Sequence, residues 1–287
     1  EMCIRDRKSP AFSEQGPQVH RAPNKGHGEF IFIAQAGTEV PHEEGAVLKR
    51  MEGWPFGWRI PGTLVPLGFQ DFEGKESPTR LYSLKGEDRA EMVMVTGDKY
   101  FSPFLMDRYE VTNARFREFL KSRGREDDIE HWQRDNDPDF DRRPVVGVDL
   151  DTAREFARWA GKQLPTEAQW MHAATWDADR GRPRSFPWGD DFEEGGLERL
   201  FRPPVVEALP VDNRAFGLIG MGGGVREWCL LPPPADPEAF GLACGPTQVF
   251  SSVRSRWTRP VAEHRFEVRA NERRNNLGFR CVYPLER

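Results

Sequence analysis

Apolar positions along this chain recur in two rhythms, and the rhythm switches at recognisable punctuation. The run MVMV at 92–95, closed by Gly97 and Asp98, predicts a strand, and FLMDRYEV at 104–111 predicts a second. The period then lengthens. Phe116, Phe119 and Leu120 fall at helical spacing behind Thr112, a natural cap, and Gly124 ends the segment. PVVGV at 144–148 is strand-like. Asp149 or Asp151 then starts a helix carrying Ala153, Phe156, Ala157 and Ala160. The sharpest signal is LPTEAQW at 164–170. Pro165 ends what precedes it, while Thr166 and Gln169 have capping-box spacing. Ala168, Trp170 and Ala173 give the new helix one apolar face. FPWGD at 186–190 follows, a tryptophan held between proline and glycine where regular structure stops. Beyond it little is regular until FGLI at 216–219 and the glycines at 222–224.

The N-terminal stretch is quieter. Residues 1–28 are polar, rich in Gly and Pro, and read as disordered or artefactual. EMCIRDR at 1–7 resembles a translated sequencing-adapter fragment, and on that reading Cys3 is not native and the true N-terminus is missing. Residues 29–85 read as a small β-rich segment, with FIFI at 30–33 as one strand and 58–65 as a strand-turn-strand. The main domain is expected over 86–287.

Composition narrows the class. Of 287 residues only 38% are hydrophobic, while 24 Pro and 27 Gly are many, so a core wrapped in long irregular connections is expected. Nine tryptophans supply much of its burial. A formal net charge of -5 argues against a generally basic nucleic-acid binder. No run approaches the length of a membrane-spanning helix. Cys229, Cys244 and Cys281 have no zinc-type spacing, and the histidines at 20, 27, 42, 131, 172 and 264 are scattered, so no mononuclear metal set is visible. Cys229 and Cys244 are open to two readings, a pair or two buried free thiols.

Six landmarks in order resemble the formylglycine-generating enzyme family, also called sulfatase-modifying factor domains. They are MVMV, FLMDRYEVTN, RPVVGVDLDTAREFARWAGKQLPTEAQW, FPWGD, FGLIGMGGGVREW and NNLGFRC, spread over residues 92–281. The resemblance implies an α+β, C-type-lectin-like fold with much irregular structure, and calcium in some members. Its members include protein-cysteine oxidases, a sulfoxide-forming branch and many domains without assigned activity.

The departures from the family pattern bear on function. In the oxidase two cysteines hold copper, because soft thiolate suits Cu(I). Counting back from GFR at 278–280, those cysteines fall on Ser252 and Trp257, and neither supplies a thiolate, so copper is not expected. The same register places family arginines at Arg259 and Arg265 and the family asparagine at Asn276. Arg254 and Arg256 flank Trp257 and are the candidates to line a groove with Ser252. The family's GNVWEW reads GGVREW at 223–228 here. Calcium at Glu227, with the carbonyls of Gly223 and Val225, is what the resemblance implies. The alternative is that Glu227 accepts backbone N–H groups or an arginine. His172 is a catalytic candidate set against a packing or surface role, and the C-terminal arginines, with glutamates interleaved among them, are expected to be solvated or to tie loops together in ion pairs.

Three functions remain in contention. One is a non-catalytic binding or scaffold domain that offers the groove to a peptide, glycan or protein. Another is a protein-modifying oxidase that converts a cysteine to formylglycine. The third is the C-terminal part of a larger bacterial signalling protein.

Overall fold

A computed structural model describes residues 19–21, 30–32, 54–55, 57–70, 79–97, 102–125, 137–177, 179–190, 205–208, 211–213, 216–231, 239–245 and 265–286. The chain divides into two compact units, residues 1–62 with 285–287, and residues 63–284. In the first unit β1 (Val19–Arg21) pairs antiparallel with β2 (Phe30–Phe32), and the Arg59 amide donates to the Glu286 carbonyl at 2.8 Å. Residues 1–28, read as disordered or artefactual, thus contain one described strand.

The second unit begins upstream of the expected boundary at 86. β3 (Leu64–Gln70) and β4 (Thr79–Leu84) form a hairpin that continues the sheet of β5 (Met92–Val95) and β6 (Phe104–Asp107). With β15 (Val282–Pro284) they make a five-stranded antiparallel sheet in the order β15-β6-β5-β4-β3. β3 hid this from the pattern. As an edge strand it carries Pro66 and a register shift between Pro66 and Gly68, which interrupt the alternation a strand ordinarily shows. Of the strand-turn-strand expected at 58–65, only Leu64 and Val65 are strand.

Three helices follow local signals. Thr112 accepts from the Arg115 amide to cap α1 (Asn113–Ser122). Asp149, not Asp151, caps α2 (Leu150–Trp159) by accepting from the Thr152 amide at 2.8 Å. Before α3 (Glu167–Thr175) the capping box is complete: Thr166 Oγ1 accepts from the Gln169 amide at 3.2 Å, and Gln169 Oε1 accepts from the Thr166 amide at 3.0 Å. Residues 144–148 are not a strand. Pro144 makes a single bridge to Thr112, while the Val145 and Gly147 amides donate to the carbonyls of Val111 and Arg274.

Short strands β7 (Trp176–Asp177), β8 (Arg182–Pro183), β9 (Val211–Asn213) and β10 (Leu218–Ile219) form two ribbons, β7 with β8 and β9 with β10. The remaining strands, β11 (Arg226–Cys229), β12 (Phe240–Cys244), β13 (Arg265–Arg269) and β14 (Leu277–Gly278), form a mixed sheet ordered β13-β12-β11-β14. Only β11 and β14 run parallel in it. The mixture of helices and strands is the α+β class expected from the sequence.

β11 separates two apolar clusters. Cys229 joins the cluster of Trp170, Val93, Phe104 and Met106, while Trp228 joins that of Phe116, Phe156 and Phe279 from the α1–α2 side. The segment from β14 to β15 links the two sheets, because Gly278 belongs to one and Val282 to the other. Gly278 is required by close approach: a Cβ there would sit 2.3 Å from the Val145 carbonyl oxygen. Among the described residues no helix is long and apolar enough to cross a membrane.

Candidate functional site

Three sequence landmarks meet at one buried node. Glu227 comes from GVREW, Trp170 from LPTEAQW and Arg280 from GFRC. The Arg280 guanidinium grips Glu227 with two parallel bonds, Nε to Oε2 and Nη2 to Oε1, each 2.8 Å. Its other donors reach the carbonyls of Ile219 at 2.9 Å, Arg108 at 3.1 Å and Asp107 at 3.3 Å. A guanidinium has five donors, and all five are used. Trp170 Nε1 donates to Glu227 Oε2 at 2.9 Å. Both charged side chains are fully buried. Burial opposes the Arg280 charge, but Glu227, with Glu110 and Asp107 adding to it, raises the guanidinium above its ordinary value.

In this geometry Glu227 has the arginine and an indole N–H as its partners. Calcium takes six to eight oxygens, largely carboxylate and carbonyl. Here both Glu227 oxygens already face N–H donors, and one donor group is a cation. The Val225 amide donates to Glu110 Oε1 at 3.0 Å. Among the described residues no three His, Cys, Asp or Glu side chains cluster to hold a metal ion. Gly223, Val225 and Glu227, as placed, do not fit a calcium ion.

A second buried network fixes the first sheet to the helices. Arg115 on α1 donates through Nε and Nη2 to both oxygens of Asp88 at 2.7 Å, and through Nη2 to Asp107 at 2.8 Å. Lys162, just past α2, donates to Asp88 and Asp107 at 2.8 Å each. Burial alone would raise the Asp88 carboxyl; Arg115 and then Lys162 hold it well below the usual carboxylate range. Sequence spacing gave no sign of this quartet, whose members lie on four separate segments.

The candidate groove residues Ser252, Arg254, Arg256 and Trp257 lie outside the described residues. The structure does place both roots of the 246–264 connection that carries them. Cys244, the last residue of β12, is paired with Arg265, the first of β13. Next to Cys244, Gly245 has φ +83°, and a Cβ on it would meet Trp170 at 2.9 Å. Arg265 bridges to Glu167 at the start of α3. Cys244 and Arg265, which flank residues 246–264, thus lie side by side, and Arg265 is held by Glu167 of the LPTE motif.

Cys229 and Cys244 lie near that root, one strand apart. Both are buried and free. Burial, and then the neighbouring Cys244, push the Cys229 thiol well above its ordinary value, which disfavours a thiolate. Cys281 is buried and free too, and burial followed by the Asp107 charge raises its thiol likewise. His172 is packed: its ring stacks on Trp176 at 4.8 Å, and Nε2 donates to the Thr96 carbonyl at 2.9 Å. Asp190 accepts from Arg180, Arg182 and the Ser185 amide in its turn. Among the C-terminal arginines, Arg265, Arg273, Arg274 and Arg280 are in ion pairs as expected.

Comparison with known proteins agrees with the landmarks. A family model described as the sulfatase-modifying factor enzyme 1-like domain matches residues 79–285. Hercynine oxygenase of Mycolicibacterium smegmatis is 31% identical over 190 residues, which is 55% of this chain and 43% of that protein. Formylglycine-generating enzyme of Streptomyces coelicolor is 28% identical over 299 residues, covering 78% of this chain and 88% of that one. Serine/threonine-protein kinase pkn1 of Chlamydia pneumoniae is 31% identical over 141 residues, 44% of this chain and 22% of the kinase. The chain thus spans under half the length of some of these relatives. Among solved structures, the crystal structure of CarF aligns with a TM-score of 0.49 at 18% identity, over 79% of this chain and 99% of that one.

Proposed function

Because this chain belongs to the sulfatase-modifying factor enzyme 1-like family, we propose that it is a binding or scaffold member without oxidase chemistry. On this reading Ser252, Arg254, Arg256 and Trp257 receive a peptide, glycan or protein partner. The observation that carries the reading is the distribution of thiols. The family register puts serine and tryptophan where copper would need two thiolates, and a hydroxyl or an indole does not replace soft sulfur. The three cysteines among the described residues are buried, and burial raises the thiols of Cys229 and Cys281 above their ordinary values.

The test is direct. The chain is incubated with a sulfatase-type Cys-x-Pro-x-Arg peptide, copper and oxygen, and the peptide is followed by mass. The cysteine is expected to remain unconverted. Conversion to an aldehyde at a rate comparable to a formylglycine-generating enzyme run alongside contradicts the proposal.

A second reading is supported by the similarity to pkn1, in which the matching segment makes up 22% of a kinase. On this reading the domain is one part of a larger signalling protein and supplies its binding function. Recovery of the full reading frame tests it: a kinase or other signalling domain in frame supports it, and a frame holding this domain alone removes it.

A further inference from the structure

We propose that Arg226, laid over the Phe266 ring beside Arg274, is a binding site for a carboxylate on an acidic peptide segment. The inference rests on the reading of the chain as a binding domain, and it names the chemistry of the ligand. Arg226 opens β11, and alternation turns it to the face opposite Glu227. Its guanidinium carbon lies 4.6 Å from the Phe266 ring centroid. Phe266, on β13, is 43% exposed.

Charge balance separates Arg226 from the arginines of the buried networks. Arg115 has Asp88 and Asp107, Arg108 has Glu91, and Arg280 has Glu227. Arg226 has no acidic partner among the described residues, and its Nε is buried without a hydrogen-bond acceptor. The charge it feels is that of Arg274, which is of like sign and whose own Nε is committed to Glu272 at 2.7 Å. Burial, and then Arg274, pull the Arg226 guanidinium below its ordinary value. An unpaired cation taken from water is costly, and an incoming anion relieves both effects. The planar fork suits a carboxylate, and the ring beneath it holds the fork in place.

The surroundings favour a peptide as the bearer of that carboxylate. β13 is the outer strand of its sheet, so an extended segment can lie along it with apolar atoms on the exposed Phe266. The 246–264 connection, with Arg254 and Arg256, returns to the sheet at Arg265, the residue before Phe266. The site is therefore continuous in sequence with the proposed groove.

The experiment is fluorescence anisotropy of the full chain with a labelled octaglutamate, at low and moderate salt, with octaglutamine and a phosphoserine octapeptide in parallel. Octaglutamate is expected to bind and octaglutamine not. Arg226→Gln is expected to weaken octaglutamate binding by roughly tenfold or more. Arg226→Lys, which keeps the charge without the fork, falls between and guards against a folding artefact in the first variant. Equal affinity of wild type and Arg226→Gln overturns the site. So does wild-type indifference to octaglutamate, or a phosphoserine peptide that binds far tighter than octaglutamate with the same dependence on Arg226. If Arg254→Gln abolishes binding while Arg226→Gln leaves it intact, this site falls and the groove reading stands. If no peptide binds and the thiol assay shows conversion, both fall together.

Discussion

Arg280 and Arg226 belong to adjoining stretches of backbone and have opposite surroundings. Arg226 begins β11, whose parallel neighbour β14 runs two residues before Arg280. Arg280 is fully buried, and each of its five donors meets a protein oxygen. Arg226 is half-buried over an aromatic ring and meets no carboxylate among the described residues. Complete internal pairing is what a scaffold residue looks like, since nothing is left over for a ligand. An arginine held in place with its charge unmatched is what a receptor residue looks like. The motif residues that identify the family are on the scaffold side of this contrast, so their retention speaks for the fold and not for catalysis.

Several substitutions break or sharpen the contrast. Arg280→Gln strands a buried Glu227 and three carbonyls, and is expected to cost about 3–5 kcal/mol in urea unfolding. A loss under 1 kcal/mol would show that the node does not anchor the fold. The Asp88 quartet adds a pH signature. Its folded carboxyl lies well below the unfolded value of 3.8, so the unfolded chain takes up a proton that the folded one refuses. That stability is present above about pH 5 and is lost as pH falls through the carboxylate range. Urea midpoints across this range are expected to be flat, then drop, with a shallower drop in Asp88→Asn. Trp170→Phe removes one hydrogen bond to a charged acceptor and is expected to cost about 1.5–3 kcal/mol. Arg226→Gln is expected to change stability by no more than about 0.5 kcal/mol while it weakens acidic-peptide binding. Added calcium is expected to leave the thermal midpoint unmoved, because Glu227 is already filled by Arg280 and Trp170.

Local features of the fold were legible in the sequence and long-range ones were not. Thr112 and Thr166 declared themselves as caps because a cap is a matter of three or four residues. The hairpin of β3 and β4 belongs to the unit of residues 63–284, a membership the sequence pattern does not reveal because Pro66 and the bulge at Gly68 break the alternation of β3. The run at 144–148 looked like a strand because it is apolar, yet its amides are taken by Val111 and Arg274 and not by a sheet. For Glu227 the sequence supplied both a cation and an arginine as partners. The choice rested on Arg280, 53 residues away, which no spacing rule connects to it. Arg226 was visible only as a departure within GVREW, and its significance depends on Phe266 from another strand.

Copper retention is the most direct test of the claim that the scaffold persists without the oxidase centre. The purified chain is loaded with Cu(I) and challenged with a chromogenic chelator, and the metal left per chain is measured. No equivalent is expected to survive, because Ser252 and Trp257 offer no thiolate, Cys229 and Cys244 are buried, and burial raises the Cys229 thiol well above its ordinary value. One equivalent held against the chelator, and lost on Cys229→Ser or Cys244→Ser, would contradict it.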